Sequence, residues 1–335
     1  MSKLSELDSI AARWMAAMRR GDFEAAWRET DRIELPRRAL QQSGRWSRQA
    51  HHLLWDGTPF DGRDVVIRCD HGLGDTLQFV RYVPRLLERA RSVTLLVQPP
   101  LVELFAGDER FREVRGAWID EPLPRHDVEI EVMELPYAFR STIDTLPRDV
   151  PYLPRAPIEA AARTLPTFEI SKFNVGLLWA SSDWDASRSL PPAALAPLCA
   201  LEGVSFHSLQ QGNARHDCAR TPVSIQPLHR HTERVSAAAA AMTKLDLVIT
   251  VDCMAAHLAG ALARPVWVLL RREADWRWMH ERRDSPWYPT MRLYRQPRDG
   301  SWATVLETVA AELSRLVRSA ERASRPGGTS CRSRV

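Results

Sequence analysis

The chain has 335 residues, 44% of them hydrophobic, which is enough for two cores because single cores stop growing near about 250–300 residues. Lys+Arg 46 against Asp+Glu 42 leaves a net charge of +4 spread along the chain, so no nucleic-acid partner is expected. The five cysteines, Cys69, Cys199, Cys218, Cys253 and Cys331, contain no CxxC pair and exclude a disulfide framework. No stretch approaches the ~18 apolar residues of a membrane span, and a cytoplasmic location is expected.

Residues 4–20 and 22–33 read as two amphipathic helices joined at Gly21 and Asp22, with Leu7, Ile10, Trp14 and Met18 at helical spacing and Phe23, Ala26 and Trp27 following. One hairpin cannot bury its own face. It either packs on the next domain or is the remnant of a tetratricopeptide-like array, and a protein partner through it stays open.

From Asp64 the texture becomes strand, Gly-rich turn and helix: DVVIRC, DHGLGD, TLQFVRYVPRLLERA, then the strand VTLLV, which make a βαβ unit. A further strand is expected at 128–132. Pro147, Pro151, Pro154, Pro157 and Pro166 then forbid a continuous helix or central strand, and an interdomain linker is placed there.

The second half alternates strands at 173–179, 204–210, 245–250 and 265–270 with helices at 193–201, 232–242 and 254–262, which implies a parallel sheet. A last helix at 302–317 is amphipathic through Val305, Val309, Leu313 and Leu316, and whether it packs back on the N-terminal domain is left open. The Arg-rich segment 319–335, with Pro326, Gly327 and Gly328, is expected to be disordered. The expected fold is α/β, two Rossmann-like domains at 53–155 and 156–318 facing a cleft, behind a helical hairpin at 1–52.

Two strand-to-helix turns carry candidate sites. In Asp70-His71-Gly72-Leu73-Gly74-Asp75, glycines permit close backbone approach and the helix N-terminus offers N–H donors to an anion. It lacks the third glycine of GxGxxG and the lysine of a P-loop, so dinucleotide and triphosphate binding are poorly matched, and Asp75 acting only as a cap is the plain alternative. The second turn places Asp252 at the end of a strand, Cys253 and Met254 at the helix start and His257 on the helix, with a capping aspartate and a core histidine as the plain alternative.

Trp179 leads into a polar loop ending in Arg188 and Ser189, and Gln210 closes a strand at the same sheet edge. Arg188 is suited to a phosphate but equally to solvent. His216, Cys218, His229 and His231 form HxC and HxH pairs without finger spacing, so no metal is expected. Trp276, Trp278, Trp287 and Tyr288 suit either stacking on a sugar or base, or a core.

HGLGDTLQFVRYVP, GLLWA followed by RSLPP, FHSLQQG, TVDCMAAHLAGALARPVW and DSPWYPTMRLYRQP follow one another in that order. Over roughly residues 53–318 the chain thereby resembles the glycosyltransferase-like C-terminal region of bacterial tetratricopeptide-repeat proteins, itself similar to the lipopolysaccharide heptosyltransferases. The resemblance implies a GT-B fold and inverting, metal-independent transfer from a nucleotide sugar, with no cofactor beyond that substrate. It implies an unknown glycan or protein acceptor in the N-terminal domain, beside His71, Gly72 and Gly74, with Asp75 as general base. It implies a donor site in the C-terminal domain at Asp252, Cys253, Met254 and His257, lined by Trp179, Arg188, Ser189 and Gln210.

Three positions depart from the pattern: Ser181 where relatives have glycine, Gln211 where they have lysine, and Cys253 where they have threonine or a small residue. Losing the lysine removes a charge that would stabilise a leaving diphosphate. The competing function is a non-catalytic binding or scaffold module that keeps the cleft. A dinucleotide oxidoreductase is disfavoured, because the second strand ends in Val97 and Gln98 rather than in an acidic residue.

Overall fold

In a computed structural model, residues 3–43, 52–118, 122–181, 183–220 and 224–324 are described. Helices α1 (Lys3–Arg20) and α2 (Phe23–Gln42) precede β1 (Asp64–Arg68), α3 (Leu73–Phe79), α4 (Val83–Leu87), β2 (Ser92–Val97), α5 (Pro99–Phe105), β3 (Glu113–Gly116), β4 (Val128–Glu131) and α6 (Leu135–Ala138). The second half runs α7 (Arg155–Ala162), β5 (Phe173–Leu178), α8 (Ala196–Cys199), β6 (Val204–Ser208), α9 (Val235–Lys244), β7 (Leu247–Val251), α10 (Met254–Ala261), β8 (Val266–Leu270), β9 (Met291–Arg295) and α11 (Trp302–Ser324).

The strands form two sheets, β3-β2-β1-β4 and β6-β5-β7-β8-β9, and every pairing is parallel. Apolar runs such as VVI in β1 and LVITV in β7 are buried on both faces, which is the pattern a parallel sheet demands. Each half is thus a Rossmann-like layer, and together they form the two-domain GT-B arrangement behind an N-terminal helix pair.

Several expected boundaries move, each for a local reason. The helix expected across 76–90 breaks into α3, a 3-10 turn at Val80–Tyr82 and α4, whose first turn holds Pro84. The proline-rich linker contains α7, because Pro157 falls in a first turn, where a missing N–H is harmless. Strands β3 and β9 were not anticipated; both are edge strands. Helix α11 runs to Ser324, six residues into the segment expected to be disordered, and 325–335 lie outside the described residues.

The last helix does not pack back on the N-terminal half. Val305, Leu306, Val309, Leu313 and Val317 share a buried cluster with Leu195 and Leu198, at and on α8, and with Trp267 and Tyr294 of the second sheet.

The α1–α2 pair packs on the body of the protein. Gly21, at φ +76 between the helices, approaches so closely that a Cβ would sit 2.8 Å from Ile143 Cδ1, so a side chain there is excluded twice over. Trp14 meets Trp276 edge-on at 5.6 Å, Phe23 meets Trp287 at 5.9 Å, and Trp27 donates its indole N–H to Ser141 O. Helix α2 continues past Pro36 to Gln42 rather than stopping at 33, anchored by a buried Glu34–Arg37 pair whose guanidinium donates to Trp55 O at 2.6 Å. One apolar cluster runs through this hairpin and both halves, so the two halves pack on each other at the base of their junction.

Candidate functional site at the junction of the two sheets

Both candidate turns stand at the C-terminal ends of central strands, where ligands of open α/β sheets bind, and the fold brings them together. After β1 the chain turns at Gly72, the N-cap of α3, and after β7 at Cys253, the N-cap of α10. Gly74 lies against α10: a Cβ there would sit 2.9 Å from His257 Cδ2 and 3.4 Å from Met254 Cα. Its glycine therefore serves the contact of one helix with the other.

Asp75 has both oxygens engaged. Oδ2 accepts from the Gly72 N–H at 2.9 Å, the backbone half of a capping box, and Oδ1 accepts from Arg277 Nη2 at 2.5 Å. Arg277 is buried, donates through Nη1 to Asp275 Oδ1 at 2.8 Å, and lies over the Trp276 ring at 4.6 Å. This charge pair joins the two halves.

Asp252 is buried behind the α10 N-terminus, and burial, with Asp275 adding to it, pushes its carboxyl up to about 6, while Trp278, Arg188 and Arg277 pull the other way. Arg188 Nη1 donates to the Asp252 carbonyl at 3.3 Å, so this arginine does reach the predicted donor turn. Cys253 Sγ lies 3.3 Å from Thr250 Oγ1, and burial pushes its thiol up. His257 is a core histidine: it stacks on Trp278 at 5.2 Å, its Nδ1 is 3.1 Å from Tyr288 Oη, and burial holds its pKa well below the usual value, so the ring is neutral.

His71 differs. Its side chain is 57% exposed, and its Nδ1 lies 3.0 Å from Oε1 of Glu131, a buried carboxylate at the end of β4. Gln98 fixes the loop by donating to His71 O at 2.8 Å while accepting from Thr76 Oγ1 at 2.9 Å.

The remaining predicted residues are engaged in local hydrogen bonds or buried packing. Gln210 Oε1 accepts from the N–H groups of Trp179 and Ala180 at 3.0 and 2.9 Å, and its Nε2 donates to Ala180 O and Gln211 O. Ser189 Oγ accepts from Ser181 N, and Gln211 donates to His229 O and Thr232 Oγ1. Trp179, Trp276, Trp278, Trp287 and Tyr288 are all buried, so they are core rather than stacking surface. His229 contacts Ser208 Oγ, the side chain of Cys218 lies outside the described residues, and no group of three or more His, Cys, Asp or Glu among the described residues is arranged to hold a metal ion.

Arg277, Asp275, Arg81 and Glu131 were missed by sequence reasoning. The signal for Arg277 was an arginine between two tryptophans, and nothing local marked the others. Arg81 lies buried across the junction, donating to Trp287 O at 2.5 Å, Pro147 O at 3.1 Å and Tyr152 Oη at 2.9 Å.

The architecture matches solved glycosyltransferases. A family 9 glycosyl transferase from Veillonella parvula superposes with a TM-score of 0.59 at 11% identity, over 78% of this chain and 99% of that one. The E. coli ADP-heptose lipopolysaccharide heptosyltransferase II gives 0.57 at 12% identity, over 77% and 99%. At this identity the likeness is one of fold. In sequence the chain is 26% identical over 290 residues to protein FlbA of Caulobacter vibrioides, covering 77% of this chain and 48% of FlbA, so it spans about half of that relative. No protein-family model matches.

Proposed function

We propose that the chain is a glycosyltransferase that moves a sugar from a nucleotide-sugar donor to an acceptor hydroxyl with inversion and without a metal ion. The observation that supports this most is the meeting of the two turns, with Gly74 against Met254 and His257 and with two arginines, Arg188 and Arg277, around Asp252. The donor diphosphate is assigned to the N-terminus of α10, where the helix dipole favours an anion. Arg188 and Arg277 supply the positive charge that stabilises the leaving diphosphate, in place of a metal. The acceptor hydroxyl loses its proton at the loop 70–75, on the N-terminal half.

One solved neighbour, an E. coli heptosyltransferase, was crystallised with ADP, so ADP is the first ligand to test. Thermal unfolding with ADP, UDP and GDP should show stabilisation by one of them, about 2.7 kcal/mol at 100 times its Kd. Arg188→Ala should remove that stabilisation, and EDTA should leave both binding and turnover unchanged. A nucleotide that binds only with added divalent ion would refute metal independence.

The second reading is a binding module. It is favoured by the engaged state of Asp75 and by the packing of the two halves on each other. A protein partner would then use the outward face of α2, where Leu35 and Leu40 are exposed. Release of nucleoside diphosphate from nucleotide sugars separates the two readings.

A further inference from the structure

We propose that His71, oriented by Glu131, is the general base for the acceptor hydroxyl, and that Asp75 instead holds Arg277 at the junction. This rests on the transferase reading above. The observation behind it is a contrast between two groups on one loop. Asp75 has both carboxylate oxygens occupied, one by the Gly72 N–H and one by a buried guanidinium. Accepting the acceptor's proton there would cost Arg277 an anionic partner in a site with little solvent. His71 has one nitrogen 3.0 Å from an oxygen of a buried carboxylate, and a side chain that is 57% exposed.

That arrangement has the parts a base needs. Nδ1–H donating to Glu131 leaves Nε2 as the acceptor nitrogen, and the carboxylate orients the ring and stabilises the imidazolium once it forms. Glu131 is itself fixed, because its Oε2 accepts from the Met133 N–H at 2.6 Å. The backbone of His71 is held by Gln98, so the ring stands on a rigid loop three residues before the glycine that touches α10.

In the reaction, the acceptor oxygen forms its bond to the anomeric carbon as the bond from that carbon to the diphosphate oxygen breaks. The electron pair of the broken bond leaves with the diphosphate, and the hydroxyl proton passes to His71 Nε2. Solvent later removes it. Glu131 is a positioning residue here and His71 the catalytic one.

The charged groups around the ring are Glu131 at the end of β4, Asp75 on α3 and Asp70 in the loop. The hydrogen bond to Glu131 raises the His71 pKa most, burial opposes it, and the three carboxylates add to the rise. Activity should therefore rise with pH through a value above the ordinary ~6.5 of histidine.

The test joins a titration to turnover, both on the full chain. In a histidine NMR titration, the signal that His71→Gln removes should titrate above ~6.5 with the proton on Nδ1 when neutral, and Glu131→Gln should lower it. In nucleoside diphosphate release from ADP-, UDP- and GDP-sugars, His71→Gln should lower turnover by about 10²-fold or more while ADP stabilisation is kept. Glu131→Gln should shift the acidic limb of the pH profile downward. An Asp75→Asn variant with the larger loss, an unmoved limb in Glu131→Gln, or a His71 that titrates at or below the ordinary value overturns the assignment. Should the wild type bind ADP but turn over no sugar, the transferase reading itself fails and the base role falls with it.

Discussion

Replacing Gly74 by alanine puts one methyl group into the contact between α3 and α10. Its carbon would lie 2.9 Å from His257 Cδ2, roughly 0.6–1.1 Å inside ordinary carbon–carbon contact of about 3.5–4.0 Å. His257 has nowhere to retreat, because its ring is stacked on Trp278 and bonded to Tyr288 and is only 5% exposed. Overpacking of this kind costs about 1–3 kcal/mol, whereas alanine in a helix gains at most about 1 kcal/mol over glycine. The packing effect wins, and a net loss of about 1–2 kcal/mol is expected. Because one apolar cluster runs through both halves, unfolding should be a single transition whose midpoint reads this loss directly. The assay is a double-mutant cycle in urea: wild type, Gly74→Ala, His257→Ala and both. His257→Ala opens the space, so Gly74→Ala should there be neutral or stabilising, giving a coupling of about 1–2 kcal/mol. A stabilising Gly74→Ala in the wild-type background, or the same loss in both backgrounds, would refute the contact.

Two further expectations follow from buried charge. Burial and Asp275 raise Asp252 from 3.8 to about 6, so the folded chain holds that proton more tightly, and the stability it contributes is present at low pH and lost as pH rises through that window. Two pKa units correspond to about 3 kcal/mol, so Asp252→Asn should stabilise the fold by up to about that amount near pH 8 and by little near pH 4, and an equal effect at both pH values contradicts it. Arg81→Lys keeps the charge but loses the planar fork that serves Trp287 O, Pro147 O and Tyr152 Oη, and should destabilise by about 2–4 kcal/mol in the same urea assay. A loss below about 0.5 kcal/mol would show that water replaces the guanidinium without penalty.

The sequence alone determined the alternation of strands and helices, the parallel sheets and the two turns, because apolar periodicity and Gly or capping residues act within a few positions. It also located the hairpin at Gly21 and placed Asp252, Cys253 and Met254 at a helix start, where Arg188 donates to the Asp252 carbonyl. Tertiary structure decided what those turns do. Gly74 looked like a backbone-approach glycine for an anion and proved to be the contact point with α10. Asp75 and Arg277 are 202 positions apart, as Arg81 and Trp287 O are 206 apart, and no local pattern encodes pairs that meet only when the two halves pack together. The resemblance implies that Gln210 and Trp179 line the cleft, but a strand end also has backbone groups to satisfy, and Gln210 spends its amide on them. Chain position puts a residue at the sheet edge; only packing settles whether its side chain faces a ligand, the partner domain or its own backbone.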